Sequence, residues 1–564
     1  MFQRSSLRRR LIRALPTKTL LLALLLGVTP AEPAKRPAAD EPILVIGIGD
    51  SLSHGTMDAT NNSVNTLNAY LQRTVESLSK VLTITFRQPL FDFQERRISP
   101  FEIPTNVAVD GADVFSIEGI EYFKRVGAPQ SFVTLDYLSD KLFAATLDDN
   151  SDRVMYPINV LAGRPVSQIG AANWLINAAP SVGIRRAGVI LWIGNNDSSL
   201  AVLGSGGANL EFQSFPFDLI APEVDPLLAF LLQFASDAKL ASFEPYTQAA
   251  IERNMTNAND FAWQYFRVLS RLKAETASSG VDLDVFLLTL PYYSSIGYLM
   301  DSNDLEFYLK KLNQAYAVPP TFKRASRPGP GPDSSRPGDR ISLLTFGFMY
   351  LLLDSGYPVS YVNRALETDG VQRDGLVLSE AEQQFIQDRI DQFNQTIKAN
   401  ARWHGPQFHL VDMGTALNSV LGGQTPLVIG GKQISRRWVR GSAFSIDGVH
   451  PGYLGQAFIA NELLAAINRL ARISAPLHDL DEIVETDPYV DQDDDGFAPL
   501  PSYPPSGLTE LLFFFRDPDD SDANVQAQLP ANAWDRVSTV LLNELLGISG
   551  VAEEAQRRGI VAAR

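Results

Sequence analysis

Five short, nearly continuous apolar stretches constrain this chain most: Ile43–Ile48, Leu82–Phe86, Val189–Ile193, Val285–Leu290 and Phe408–Val411. Strands with one wet face alternate polar and apolar residues, so runs of this kind read as strands covered on both faces. Helical patterns lie between them. Ser379 and Glu382 form a capping box that opens a helix with Ile386, Ile390, Phe393 and Ile397 on one face. A second helix pattern runs from about Tyr453 to Leu470, with Phe458, Leu463, Leu464 and Ile467 available for burial. Strands alternating with helices predict a three-layer α/β/α fold around a parallel central sheet of about five strands, with ligands bound beyond the carboxyl ends of those strands.

The intervals between strands are longer than simple crossovers need, so insertions are expected at about 112–188, 198–283 and 292–407 within a domain spanning 41–475. The run Arg327-Pro328-Gly329-Pro330-Gly331-Pro332 marks 323–340 as a loop. Residues 1–31 read as a signal peptide: six basic residues precede an apolar core from Leu20 to Val28, too short to span a bilayer. Export, to a secreted or periplasmic location, is the expectation, whether the segment is cut or retained as an anchor. Removing its six basic residues takes the formal charge from −16 to −22, which argues against a nucleic-acid partner. The chain has no cysteine, and so no disulfide, thiol nucleophile or cysteine-based zinc site.

Beyond about Ala475 the composition changes. Nine acidic residues fall between Asp479 and Asp495, and 476–505 reads as an acidic linker before a small extension, 506–564, that carries Leu511–Phe515 and a helix pattern with Trp534, Val537, Leu541 and Leu545 on one face. Within the linker, Asp491, Asp493 and Asp495, followed by Gly496, match the first half of a calcium loop, although Ser502 stands where its glutamate would be. Calcium and a plain solvated linker both fit that pattern.

The first apolar stretch ends in Gly49-Asp50-Ser51-Leu52, which sets a serine on a tight turn where its hydroxyl can meet a substrate and a base. A dinucleotide fingerprint would need a small residue at Leu52, and the α/β-hydrolase elbow would need glycine at Ser53. The chain has five histidines. His450, in Asp447-Gly448-Val449-His450-Pro451, has a carboxylate three residues away to hold its Nδ1 and leave Nε2 for the serine. His54 lacks a well-spaced orienting acid, and His404 and His409 do not share a helix face, so a zinc pair there is disfavoured.

Acyl transfer also needs donors for a developing oxyanion. Asn196, in Gly194-Asn195-Asn196-Asp197 after the third stretch, and the backbone of Gly111 are candidates. In this chain order, Gly49-Asp50-Ser51-Leu52, Gly111, Gly194-Asn195-Asn196-Asp197 and Asp447-Gly448-Val449-His450 resemble the motif blocks of the SGNH or GDSL hydrolase family across about residues 41–470. The resemblance implies Ser51 as nucleophile, His450 as base, Asp447 as its orienting acid, and an oxyanion hole from the Ser51 and Gly111 N–H groups with the Asn196 side chain. Asp50 and Asp197 are read as residues that hold loops.

The family implication is a serine esterase or lipase needing no cofactor, with an ester partner and transient contact with a lipid surface. A carbohydrate O-acetylesterase of the same family is the alternative enzyme, and a non-catalytic binding protein the alternative of another class. Apolar runs at Leu227–Leu232 and Phe346–Leu353 fit either an acyl pocket or buried helices, and substrate selection is expected to reside in the long intervals.

Overall fold

Residues Ile43–Gly49 form β1, next to one edge of a five-stranded parallel sheet with β2 (Ile84–Thr85), β3 (Arg186–Trp192), β4 (Asp282–Leu288) and β5 (Phe408–Val411) in the order β2-β1-β3-β4-β5. The computed structural model describes residues 41–122, 124, 132–133, 150–203, 246–326, 337–354, 356–366, 376–501 and 503. The signal-peptide, Leu227–Leu232 and 506–564 expectations fall outside them. The fold is a three-layer α/β/α arrangement, as the alternation of strand and helix patterns predicts.

The chain leaves β1 for β2 on one side and then crosses to β3 on the other. With right-handed crossovers, α2 (Tyr70–Ser79) covers one face while α3 (Gln168–Ala178), α5 (Ala258–Thr276) and α8 (Glu380–Trp403) cover the opposite one. The capping box at Ser379 and Glu382 starts α8, and Ile386, Ile390, Phe393 and Ile397 are fully buried. Each such side chain contributes about 1.5–3 kcal/mol relative to exposure. On the first face α10 (Tyr453–Ala471) packs against α2.

β2 is shorter than its apolar run suggests. Past its end the chain returns along β1, where Gly47 N–H donates to Thr105 O at 3.1 Å and Val109 N–H to Gly49 O at 3.2 Å. This return delivers Gly111 to the carboxyl end of the sheet. That end holds the topological switch point between β1 and β3, where ligands of doubly wound sheets bind.

The insertions add structure of their own. In the third, α6 (Ser302–Leu312) packs against α7 (Leu343–Asp354), whose Phe346 and Met349 are fully buried. The apolar run at Phe346 therefore belongs, at these positions, to a core. The loop expected at 323–340 is clasped at its base by Lys323 and Asp339, with N–H to O contacts of 2.9 Å in both directions.

The segment after Ala475 departs from the linker expectation through residue 503. It forms α11 (Leu480–Thr486) against α10, and Tyr489, Val490, Ala498 and Leu500 are buried. The reason lies in its apolar residues, which alternate with the acids and enter the core while the carboxylates cap turns; Asp479, for instance, accepts the Asp481 N–H at 3.0 Å.

Candidate active site

Ser51 opens α1 (Ser51–His54), the four-residue turn that follows β1. Asp50 caps this turn, its Oδ1 accepting the Leu52 N–H at 3.1 Å while Oδ2 accepts from Asn195 Nδ2 at 2.9 Å. The turn sits hard against β3: a Cβ on Gly49 would lie 2.4 Å from the Trp192 carbonyl oxygen and 2.5 Å from Ser53 Oγ. Only glycine fits there, which explains the small residue before the Asp-Ser pair.

His450 enters on the loop before α10, and its Nδ1 donates to Asp447 Oδ2 at 2.6 Å. Asp447 is 2% exposed and thoroughly satisfied. Its Oδ1 accepts from the N–H groups of Val449 (2.8 Å) and His450 (2.9 Å) and from Ser445 Oγ (3.0 Å), and its Oδ2 also takes the Ala59 N–H at 2.8 Å. Burial opposes ionisation of Asp447, but the His450 charge and these N–H donors outweigh it and hold the carboxyl below its ordinary range. Burial likewise works against the His450 imidazolium. The charge and hydrogen bond of Asp447, joined by the charges of Asp110 and Asp50, prevail and push its pKa up to about 9.

Ser51 and His450 line one cavity at the switch point. Among the described residues no hydrogen bond joins Ser51 Oγ to His450 Nε2; both stand in the cavity wall. The cavity has a volume of about 60 Å³, several times the roughly 10–15 Å³ that admits one water. Its other walls are mainly apolar, including Ile296, Leu417, Val420, Leu421, Ile434 and Phe458.

Gly111 has φ +77°, an exposed backbone, and nothing within 4 Å of where a Cβ would stand. Asn196 starts α4 (Asn196–Leu203); its Nδ2 donates to the Ala112 carbonyl at 2.9 Å and its Oδ1 accepts from Ser199 Oγ at 2.8 Å. The amide of Asn196 therefore ties its loop to the Gly111 loop. Asn195, rather than Asn196, is the asparagine that lines the apolar cavity. The expected loop-holding residues behave as such: Asp197 accepts the Val114 N–H at 2.9 Å and is fully buried.

The remaining histidines are elsewhere engaged. His54 is 1% exposed, tilted against Phe91 with ring centroids 5.3 Å apart, and burial pushes its pKa down to about 4. His409 pairs with Asp284 at 2.7 Å and His404 with Ser270 at 3.1 Å, so the two make separate contacts. Asp491, Asp493 and Asp495 have carboxylate oxygens within 4.8 Å of one another, the only such grouping among the described residues.

The segment 413–434 supplies cavity walls that sequence reading did not single out. Leu417, Val420 and Leu421 lie at helical spacing on one face of α9 (Met413–Leu421). A hairpin of β6 (Leu427–Ile429) and β7 (Lys432–Ile434) follows, turning through Gly430 and Gly431 with φ +54° and +81°. The Gly430-Gly431 pair between Leu427-Val428-Ile429 and Lys432-Gln433-Ile434 is a hairpin signal and would have found it.

Among the described residues no helix is long and apolar enough to cross a membrane. Comparison with known proteins gives no match, either to a protein-family model or to a curated sequence.

Proposed function

We propose that this chain is an exported serine hydrolase of the SGNH or GDSL kind, cleaving carboxylic esters whose acyl group is apolar. The observation that carries the reading is His450, held by Asp447 at 2.6 Å, in the wall of the same apolar cavity as Ser51. Ser51 Oγ attacks the ester carbonyl carbon as His450 Nε2 takes its proton, and Asp447 stabilises the imidazolium. The oxyanion is met by the N–H groups of Ser51 and Gly111 and by the Asn196 amide. The carbon–oxygen bond to the alcohol then breaks, the alcohol leaving with the proton from Nε2, and water repeats the sequence on the acyl-enzyme. No cofactor enters any step.

The apolar walls favour an acyl chain longer than acetyl over the O-acetylesterase reading. A p-nitrophenyl ester series tests this: activity is expected to rise from acetate to the medium chains. Activity confined to acetate, with acetate released from an acetylated glycan, overturns the acyl-chain assignment. Ser51→Ala is expected to cost about 10⁴-fold or more in kcat and to abolish fluorophosphonate labelling. A wild type without turnover or labelling is instead a binding protein.

A further inference from the structure

Beside the apolar cavity lies a larger and polar chamber of about 790 Å³, and the two share Tyr292 and Leu421 as walls. Strand alternation on the hairpin divides them. Ile434 lines the apolar side, whereas Gln433 and Ser435, its sequence neighbours, line the polar one. On α9, Leu417 and Val420 face the apolar cavity and Asn418 the chamber.

The chamber collects positive charge in an acidic chain. Arg340, Arg436, Arg437 and Arg440 line it, against the carboxylates of Asp301 and Glu380. Arg436 is already engaged: it ion-pairs with Asp301 and donates Nη1 to the Leu299 carbonyl at 2.8 Å. Arg340 is different. It is 5% exposed, its backbone is fixed to Leu378 by bonds of 3.0 and 2.8 Å, and its Nε and Nη1 have no partner. A buried guanidinium with unmet donors carries a desolvation cost that an anion would relieve. Burial and the nearby Arg436 charge accordingly disfavour its cationic form, while Asp301 and Asp304 only partly compensate.

Gln383 stands in the same chamber, fully buried. Its Nε2 donates to the Gly338 and Leu378 carbonyls at 2.8 and 3.2 Å, but its Oε1 accepts nothing. Two residues of the chamber wall thus carry buried polar atoms without a partner, a cationic donor on Arg340 and a neutral acceptor on Gln383. An oxyanion complements the first and a hydroxyl the second.

We infer that this chamber binds a small anionic polyol, a phosphate or carboxylate bearing free hydroxyls, through Arg340 and Gln383. Resting on the ester-hydrolase reading, it takes the alcohol half of the substrate, while the apolar cavity takes the acyl half.

The test uses the full chain and needs no turnover. Glycerol 3-phosphate, glycerate, inorganic phosphate and glycerol are titrated calorimetrically and by Tm shift. Binding of glycerol 3-phosphate or glycerate, tighter than phosphate or glycerol alone, is expected, and the stronger of the two names the anion. Arg340→Gln is expected to weaken it about tenfold or more while Arg340→Lys retains part of it. Should Arg340→Gln not fold, Arg437→Gln replaces it, with a smaller weakening expected. No binding by any of the four, or binding that these substitutions leave unchanged, overturns the inference. Loss of hydrolysis in Ser51→Ala with anion binding intact separates the two readings, because failure of either leaves the other measurable.

Discussion

The hydroxyl of Tyr489 donates to Oδ2 of Asp58 at 2.5 Å, joining the end of the described chain to the turn that follows Ser51. Tyr503 reaches the same oxygen at 2.6 Å, and Asp58 Oδ1 accepts the N–H of Ile446, next to Asp447, at 3.1 Å. The Asp58 N–H donates in turn to Ser445 Oγ, which donates to Asp447. The acidic segment thus braces the loop that orients His450. Tyr489→Phe removes a donor from a buried carboxylate and is expected to cost about 1–3 kcal/mol of stability. The denaturation midpoint should fall at unchanged m-value, with a several-fold loss of kcat as the loop loosens. An unchanged midpoint would mean that Tyr503 alone holds Asp58.

Asp58 also makes stability depend on pH. Burial, reinforced by the Asp447 charge, pushes its pKa up to about 7 against the hydrogen bonds of the two tyrosines. An acid whose folded pKa lies above its unfolded value stabilises the fold while protonated. Its contribution is complete below the unfolded value of about 4 and is lost as pH rises through 7. Asp58→Asn cannot titrate. Wild-type stability is therefore expected to decline relative to Asp58→Asn between pH 4 and 7, read from paired denaturation curves. Parallel curves across that window would remove Asp58 as the source.

Much of this arrangement is legible before folding is considered. The apolar runs at Ile43 and Val189 give the two switch-point strands because strands covered on both faces leave a continuous signal. Ser379 with Glu382 gives the start of α8 because capping is a local interaction. What escapes is long-range. Nothing near Tyr489 indicates that it binds Asp58, some 430 residues earlier, because a tyrosine and an acid each have many possible partners. The acidic stretch reads as solvated for the same reason: composition averages over Tyr489, Val490 and Leu500, which alternate with carboxylates and decide the burial. The walls of the apolar cavity come largely from Leu417 to Ile459, after the last strand of the central sheet, rather than from the long insertions.

The acidic loop gives a separate prediction for calcium. Asp491 already accepts the N–H groups of Asp495 at 3.1 Å and Gly496 at 2.7 Å, which winds the three carboxylates toward one another. Burial, and repulsion from Asp495 and Asp493, raise the pKa of Asp491 despite these bonds. A cation would relieve that repulsion. Added calcium is expected to release heat and raise Tm, and Asp493→Asn to abolish both. Silence in the wild-type titration leaves the loop as a structural turn.

Asn195 and Asn196 are adjacent yet do different work, which makes them a matched pair. Asn196→Ala removes a candidate oxyanion donor and the tie to Ala112, and is expected to lower kcat by about 10²–10³-fold with little change in KM. Asn195→Ala breaks the bond to Asp50, whose carboxyl burial already pushes to about 7. The Asp50 pKa should then climb further, with stability lost rather than the oxyanion contact. Equal loss of kcat in both would reject the assignment of the hole to Asn196.

The pH dependence of activity follows from His450. Only the neutral imidazole can take the Ser51 proton, so a pKa near 9 predicts that kcat/KM in the free enzyme rises with pH until about 9. Asp110, next to Gly111, contributes to that elevation by its charge, and its Oδ2 accepts from Asn61 Nδ2 at 3.4 Å. Asp110→Asn retains the shape and removes the charge. The acid limb is expected to move to lower pH, increasing activity near neutrality while the plateau stays within a few-fold. Asp447→Asn also lowers the His450 pKa but releases Nδ1, so its plateau is expected to collapse by about 10⁴-fold. The two substitutions separate a charge that tunes the base from one that orients it, and identical pH profiles for wild type and Asp110→Asn would show that Asp110 does neither.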